Sequence, residues 1–193
     1  MSLAISDGRT FPAVFLKNCN PVISFPPKLK VLDYLYFSMY QYICQVLNMK
    51  FLTYKNYLTV IKNSADSKMF RHVYVLDNNK EKDILKGGQL SCAYYVSCIL
   101  KLFNLIDQEI SPHAVVGGLI KNMSNNGWKE TKELKPGNIL LWEEKSGHQH
   151  LGFYLGKDKA ISHRDKKKVP TIHHYTYKNK RKIVKIFTHK IIE

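Results

Sequence analysis

The stretch "GGQLSCAYYVSCIL", residues 87–100, decides the fold. Two glycines form a loop, Ser91 stands at the N-cap position, and apolar residues recur at helical spacing after Cys92. This pattern predicts a helix over residues 92–105 that begins with a cysteine. A cysteine in the first turn of a helix can be a buried packing residue or a reactive thiol, and other parts of the sequence indicate which role applies.

The periodicity around this helix divides the chain into a helical part and a strand part. Apolar spacing predicts helices over residues 32–62 and 114–124, and residues 72–77 alternate like a short strand. After residue 127 the period changes to two, and four stretches are predicted as strands: 138–142, 150–155, 159–163 and 182–187. Helices followed by an antiparallel sheet indicate an α+β fold, with the cysteine-bearing helix packed on the sheet.

A length of 193 residues suits one full hydrophobic core with an extension. We expect residues 1–65 to form a helical N-terminal extension of unknown role and residues 66–193 to form the main domain. No internal repeat or low-complexity linker separates the two parts.

The net charge of +15 is concentrated in the C-terminal third. Residues 157–190 contain 12 Lys or Arg and 2 Asp, a local charge of +10. Such a surface suits nucleic acid, an anionic membrane or an anionic cell-wall polymer, and charge alone does not choose among them. The alternative is a solvated basic rim without a partner.

The cysteines and the N-terminal sequence exclude several classes of protein. The four cysteines form no C-x-x-C pair, so we expect neither a structural metal nor a disulfide framework, and no cofactor is indicated. The opening "MSLAISDGRTFPAVF" lacks the features of a secretory signal, which predicts residence in the cytoplasm or export by a non-classical route. Residues 34–49 carry no charge but are shorter than a bilayer requires, so no membrane span is expected. The sequence indicates no oligomeric state.

The position of Cys92 has a chemical consequence. Free N–H groups and the positive end of the helix dipole stabilise a thiolate, so the pKa of a cysteine there can fall below its usual value of about 8.5. The same N–H groups can hold an oxyanion. The alternative is a small buried apolar residue, which is the role we expect for Cys98.

A reactive thiol needs a base, and "GHQHLGFYLGKDKAISH", residues 147–163, supplies candidates. A two-residue loop at 156–157 would pair His150 with His163 on one face of a hairpin. A three-residue loop would bring Arg164 opposite His150 instead. The first register predicts a set in which Cys92 attacks, one of the two histidines acts as base and then acid, and the other fixes its tautomer.

Three stretches together resemble the NlpC/P60 family of cysteine peptidases and amidases. They are "LSCAYYVSCIL", "LKPGNILLWE" and "GHQHLGFYLGKDKAISH", and the resemblance runs from about Phe70 to Phe187. Its most specific piece is the "HxGxYxG" strand at residues 150–156. The resemblance implies a papain-like α+β core and hydrolysis of amide bonds in peptidoglycan stem peptides, with a peptidoglycan peptide or a similar anionic wall polymer as partner.

The same resemblance implies residue roles. Cys92 would be the nucleophile, His150 the base and His163 the orienting residue, while substrate contacts would come from five positions: Ser91, Ala93, His148, His173 and His174. The chain departs from the family at the nucleophile, where "SCAY" replaces the usual Asp-Cys-Ser-Gly. In many relatives that Asp and Ser help to hold a free amine of the substrate.

Two alternatives stay open at this stage. The same thiol could transfer acyl groups or cleave another isopeptide or D-amino-acid amide. The chain could also be a catalytically silent, basic nucleic-acid-binding protein, because "HRDKKK" and "TYKNKRK" interleave cations with His173, Tyr175 and Tyr177.

Overall fold

The computed structural model of the chain describes residues 50–193 except Ser146 and Asp165. The helix predicted over residues 32–62 therefore lies largely outside the described residues. The described helices are α1 (Thr53–Asn63), α2 (Cys92–Leu102) and α3 (Val116–Asn125), with a short 3-10 turn at Lys86–Gly88. The strands are β1 (Tyr74–Asp77), β2 (Lys80–Asp83), β3 (Lys129–Thr131), β4 (Ile139–Lys145), β5 (His148–Gly156), β6 (Lys159–Arg164), β7 (Val169–His174) and β8 (Ile183–Thr188).

The strands form two antiparallel sheets. Strands β1 and β2 make a separate hairpin, and the other six make one sheet in the order β3-β8-β4-β5-β6-β7. The predicted α+β fold is confirmed. No described helix is long and apolar enough to cross a bilayer.

The ends of the elements have local causes. Helix α2 stops at Leu102 rather than residue 105, because Asn104 adopts a left-handed φ of 54° and the N–H of Leu105 returns to the carbonyl of Leu100 at 3.0 Å. Strand β7 was not predicted, since Pro170 lies within it and its later residues, "IHH", show no apolar alternation. The short strands β2 and β3 were also missed.

The main core lies between the helices and one face of the sheet. Tyr95 of α2 and Tyr57 of α1 are fully buried and meet Phe153 of β5 edge to face, with ring centroids 5.6 and 6.0 Å apart. The Tyr57 hydroxyl donates to the carbonyl of Gly137 at 2.9 Å, which satisfies its buried oxygen. Helix α1 falls within the predicted N-terminal extension, residues 1–65, but packs into a compact unit that runs from Leu52 to Glu193.

The opposite face of the sheet carries a second, smaller cluster. Leu140, Trp142, Tyr154 and Ala160 are its buried members. Because side chains alternate along a strand, Leu151 and Phe153 face the main core while His150 faces the cluster of Trp142. The site develops on this second face.

Candidate active site

Helix α2 places Cys92 at its first residue, beside the start of β5. Cys92 as a residue is partly exposed, and its sulfur lies 3.9 Å from the carbonyl oxygen of Gln149. Ser91 occupies the N-cap position, but its side chain makes no capping hydrogen bond and its buried Oγ has no partner among the described residues. The cap predicted from the sequence is therefore positional only, and the first-turn N–H groups are left available to Cys92 or to a ligand.

The pKa of Cys92 is raised, not lowered as the helix position suggested. Burial of the thiol is the largest cause, and it raises the pKa. Four smaller effects lower the pKa without offsetting burial: hydrogen bonds from the N–H groups of Leu151, Ala93 and Cys92 itself, and the positive charge of Arg181. The resting group near neutral pH is a thiol. The stabilising groups are nevertheless in place for the moment when negative charge forms on the sulfur.

The hairpin register differs from the one predicted. Gly156 pairs with Lys159, and the loop consists of Lys157 and Asp158, which both have positive φ (49° and 57°) as a type I′ turn requires. A bulge between Tyr154 and Gly156 then shifts the pairing by one residue, so that Phe153 faces Ile161. The predicted pairing of His150 with His163 is wrong, since a one-residue slip reverses the face of every side chain on β6.

Gly152 makes the close approach of the two strands possible. A Cβ atom at this position would lie 2.7 Å from Cβ of Ser162 and would also collide with the carbonyl oxygen of Ile161. The glycine of the "HxG" motif thus lets β6 come close enough for Ser162 to reach His150.

His163 lies on the face of the main core. Its side chain is 2% exposed, neither ring nitrogen has a partner among the described residues, and the ring is 6.5 Å from that of Tyr95. Burial, followed by the charge of Arg71, lowers its pKa to about 4. The structure does not bring His163 into hydrogen-bonding contact with His150.

Ser162 is the residue that contacts His150. Its hydroxyl lies 2.9 Å from Nε2 of His150, 2.8 Å from Nε2 of His173 and 2.9 Å from the hydroxyl of Tyr177. Ser162 is buried, and its three partners come from β5, from β7 and from the turn after β7. One small side chain therefore joins three parts of the site.

The hydrogen bonds determine which nitrogens carry protons. Nδ1 of His173 faces the carbonyl oxygen of His174 at 2.8 Å, and since a carbonyl only accepts, this nitrogen donates. Nε2 of neutral His173 must then accept from Ser162. The single hydroxyl proton of Ser162 is used, so His150 donates from Nε2 to Ser162 and keeps a bare lone pair on Nδ1.

Both imidazoles are neutral near pH 7. Burial, followed by the charge of Arg181, lowers the pKa of His150 to about 3. Burial also lowers the pKa of His173 to about 4. A neutral imidazole with a free Nδ1 is the form that can accept a proton from a thiol.

A strained turn holds Tyr177 over the site. Three consecutive residues, Tyr177, Lys178 and Asn179, have left-handed φ values of 52°, 56° and 63°. Each such residue costs about 1 kcal/mol or more when it is not glycine. Thr176 braces the turn through hydrogen bonds to both the N–H and the side chain of Asn179. Tyr177 stacks on His173 with a centroid distance of 4.0 Å. Burial raises the pKa of Tyr177, the hydrogen bond with Ser162 and the charges of Arg181 and Arg164 oppose this, and an ionised Cys92 is near enough to add to the rise.

The other residues predicted to touch substrate have mixed positions. The side chains of Ser91 and Ala93 are fully buried and do not face solvent. His148 is exposed at the start of β5, and His174 is partly buried, with Nδ1 bound to Thr176. Of the five predicted residues, His173 is the one that the structure brings into the network with His150.

Sequence reasoning missed Ser162, Tyr177 and Arg181 as site residues. A signal for Ser162 was present, because the alternative register considered for the hairpin puts it on the face of His150. Tyr177 and Arg181 had no local signal, since a turn after an unpredicted strand brings them to the site. No cluster of His, Cys, Asp or Glu that could hold a metal exists among the described residues.

A cysteine at the start of a helix and a histidine on a strand of the same α+β core are the arrangement that thiol-dependent hydrolases use. The family model for the NlpC/P60 family matches residues 71–188, which is more than half of the chain, so the protein belongs to the NlpC/P60 family. Members of this family are generally cysteine peptidases and amidases with peptidoglycan-related substrates. A search of curated proteins finds no match.

Proposed function

We propose that this protein is a cysteine amidase that cleaves amide bonds in peptidoglycan stem peptides, with Cys92 as nucleophile and His150 as general base. Ser162 and His173 act as positioning residues, in place of the predicted His163. The observation that carries the proposal is the hydrogen-bond chain from His150 through Ser162 to His173, because it leaves Nδ1 of His150 free to take a proton.

The first half-reaction forms a thioester. Sγ of Cys92 attacks the scissile carbonyl carbon while its proton passes to Nδ1 of His150, and the N–H groups near the sulfur stabilise the charge that develops. The C–N bond then breaks, and the amine leaves with the proton from His150. The imidazolium that exists between these steps donates from Nε2 to Ser162, whose own proton is directed at His173.

The second half-reaction restores the enzyme. A water molecule gives one proton to His150 and adds its oxygen to the thioester carbon. The C–S bond breaks, the sulfur of Cys92 recovers the proton, and the carboxylic acid is released. The overall reaction is hydrolysis of one amide bond without any oxidant, reductant or cofactor.

The test is digestion of purified peptidoglycan and of soluble muropeptides by the full chain, with products separated by liquid chromatography and identified by mass. We expect new amino and carboxyl termini with the wild type and none with Cys92→Ser. Cys98→Ser is the matched control, because Cys98 is a second partly buried thiol on the same helix. Products that survive Cys92→Ser, or a complete absence of products from the wild type, would contradict the proposal.

The alternative of nucleic-acid binding is not favoured by the described residues. His173 and Tyr177 are partly buried and bonded to Ser162, and Tyr175 packs on Tyr154 with ring centroids 5.8 Å apart. These rings are used inside the protein and do not form an open platform on which bases could stack.

A further inference from the structure

Arg181 is anchored close to the candidate active site. Its Nε donates to the carbonyl of Glu143 at 2.9 Å, and one terminal nitrogen donates to the carbonyl of His148 at 3.0 Å. The next residue on β5, Gln149, is the one whose carbonyl lies beside the sulfur of Cys92. The charge of Arg181 lowers the pKa of both Cys92 and His150, so the guanidinium group lies within electrostatic range of the reacting sulfur and of the base.

Arg164 approaches the same site from the other side of Tyr177. It ends β6, and its Cζ lies 5.8 Å from the centroid of the Tyr177 ring, a cation–π contact. The hydroxyl of that ring is bonded to Ser162, which holds His150. The two arginines thus come from different strands and turns but converge on one group of side chains.

Neither arginine has a counter-charge among the described residues. The four ion pairs of this part of the chain involve other cations. The hydrogen bonds of Arg181 go to neutral carbonyl groups and leave some of its five donors unused. Both side chains are partly exposed, so a ligand can reach them.

We propose that Arg164 and Arg181 bind a carboxylate of the acyl substrate near the carbonyl that Cys92 attacks. The planar guanidinium fork matches a carboxylate, and two such groups that form no ion pair with any described residue favour an anion over an amine. The residues beside the nucleophile agree with this, because Ser91 and Ala93 are buried and provide no acid for a free amine. This inference rests on the proposed role of Cys92 as nucleophile.

The test compares two alkylating reagents of similar size, anionic iodoacetate and neutral iodoacetamide, on the full chain at fixed pH and low ionic strength. Peptide mass spectrometry gives the rate at Cys92 and, as an internal reference, at Cys98. The ratio of the two reagent rates cancels any change in the pKa of the thiol, because both reagents need the same nucleophile. The variants are Arg181→Gln, Arg181→Lys and Arg164→Gln, with Lys182→Gln as a control that removes an exposed charge next to the site.

We expect the ratio of iodoacetate to iodoacetamide rates at Cys92 to fall several-fold in Arg181→Gln, because a positive charge that acts on the sulfur is lost. Arg164→Gln should give a smaller fall, Arg181→Lys should keep much of the ratio, and Lys182→Gln should leave it unchanged within about twofold. The ratio at Cys98 should be the same in every protein. A ratio at Cys92 that is equal in wild type, Arg181→Gln and Lys182→Gln would overturn the inference.

The same assay separates failure of this inference from failure of the proposed function. If iodoacetamide labels Cys92 as fast in His150→Ala as in wild type, the proposed nucleophile–base pair is contradicted. If labelling of Cys92 depends on His150 but the ratio of iodoacetate to iodoacetamide rates is unchanged by the arginine substitutions, only the carboxylate site is contradicted.

A second arm distinguishes a carboxylate from a phosphate. Sodium acetate and inorganic phosphate are added at equal ionic strength while iodoacetamide labels Cys92. Protection by acetate that is lost in Arg181→Gln supports the inference. Protection by phosphate without protection by acetate would contradict the choice of a carboxylate.

Discussion

Replacement of Ser162 by alanine tests the arrangement on which the proposed mechanism depends. The hydroxyl makes three hydrogen bonds of 2.8–2.9 Å, and alanine leaves Nε2 of His150, Nε2 of His173 and the hydroxyl of Tyr177 without their partner. Each net bond contributes about 1 kcal/mol, and water can restore part of this because the three partners are partly exposed. We expect the free energy of unfolding to fall by about 2 kcal/mol.

Ser162→Ala should lower kcat/KM by more than its loss of folding stability explains. Without Ser162, neither neutral tautomer of His150 is favoured, and the imidazolium formed in the reaction loses its acceptor. A hydrogen bond to a charged group is worth about 1.5–3 kcal/mol, which corresponds to a fall in kcat/KM of about 10- to 100-fold. The assay is kcat/KM on the muropeptide identified in the digestion experiment, with urea unfolding measured in parallel.

Two variants make the result specific. Thr171→Val removes another buried hydroxyl from the strand next to β6 without touching His150, and it should retain kcat/KM within a few fold. His163→Leu removes the residue first predicted to orient the base, and it should also retain activity. If Ser162→Ala has the kcat/KM of wild type, or if His163→Leu loses as much as Ser162→Ala, the proposed chain from His150 to His173 is refuted.

Three further predictions follow from the same geometry. Gly152→Ala should lower the free energy of unfolding by about 1–3 kcal/mol and reduce activity, because its Cβ would lie 2.7 Å from that of Ser162. Gly117 has open space around it, so Gly117→Ala should lower neither stability nor activity. Equal thermal unfolding temperatures of the two variants would contradict this. The pKa of His163 is about 4 in the folded protein against an ordinary 6.5, so unfolding takes up a proton and the free energy of unfolding falls as the pH drops from 6.5 towards 4. His163→Leu should remove about 2 kcal/mol of the fall between pH 8 and pH 5. A pH dependence of urea unfolding that is the same in wild type and His163→Leu would count against this. The pKa of His150, about 3, predicts that kcat/KM stays flat down to about pH 5, whereas an acid limb near 6.5 would show that His150 is not held neutral in this way.

Much of the architecture could be predicted from the sequence because it depends on local periodicity. The helix that begins at Cys92 and the four main strands were all predicted from apolar spacing, and their bounds differ from the structure by a few residues. Because Cys92 begins the predicted helix and His150 lies on a predicted strand, both were predicted as site residues. These helices and strands depend on the spacing of apolar residues that are neighbours in sequence, and this spacing can be read from one sequence.

The third position of the site depended on a choice that the sequence does not display. A loop at 157–158 and a bulge after Tyr154 shift β6 by one residue, and this moves His163 to the core and Ser162 to the site. Alternating apolar residues fit both registers, so the pattern alone did not decide between them. The pKa of Cys92 is a similar case, since the helix position was visible in the sequence but the burial that outweighs it is a property of the packed fold.

The charges around the site suggest how its two proposals are connected. With Arg181 beside it and Arg164 near it, His150 is disfavoured as a cation, and with its thiol buried, Cys92 is disfavoured as an anion. A substrate carboxylate bound by the two arginines would offset the positive charges that lower the pKa of His150, and the base would then accept the thiol proton more readily. The same carboxylate would also offset the charge of Arg181 that lowers the pKa of Cys92, so an acidic substrate would favour the protonated base without favouring a free thiolate, and the thiol proton would move to His150 only as the sulfur attacks.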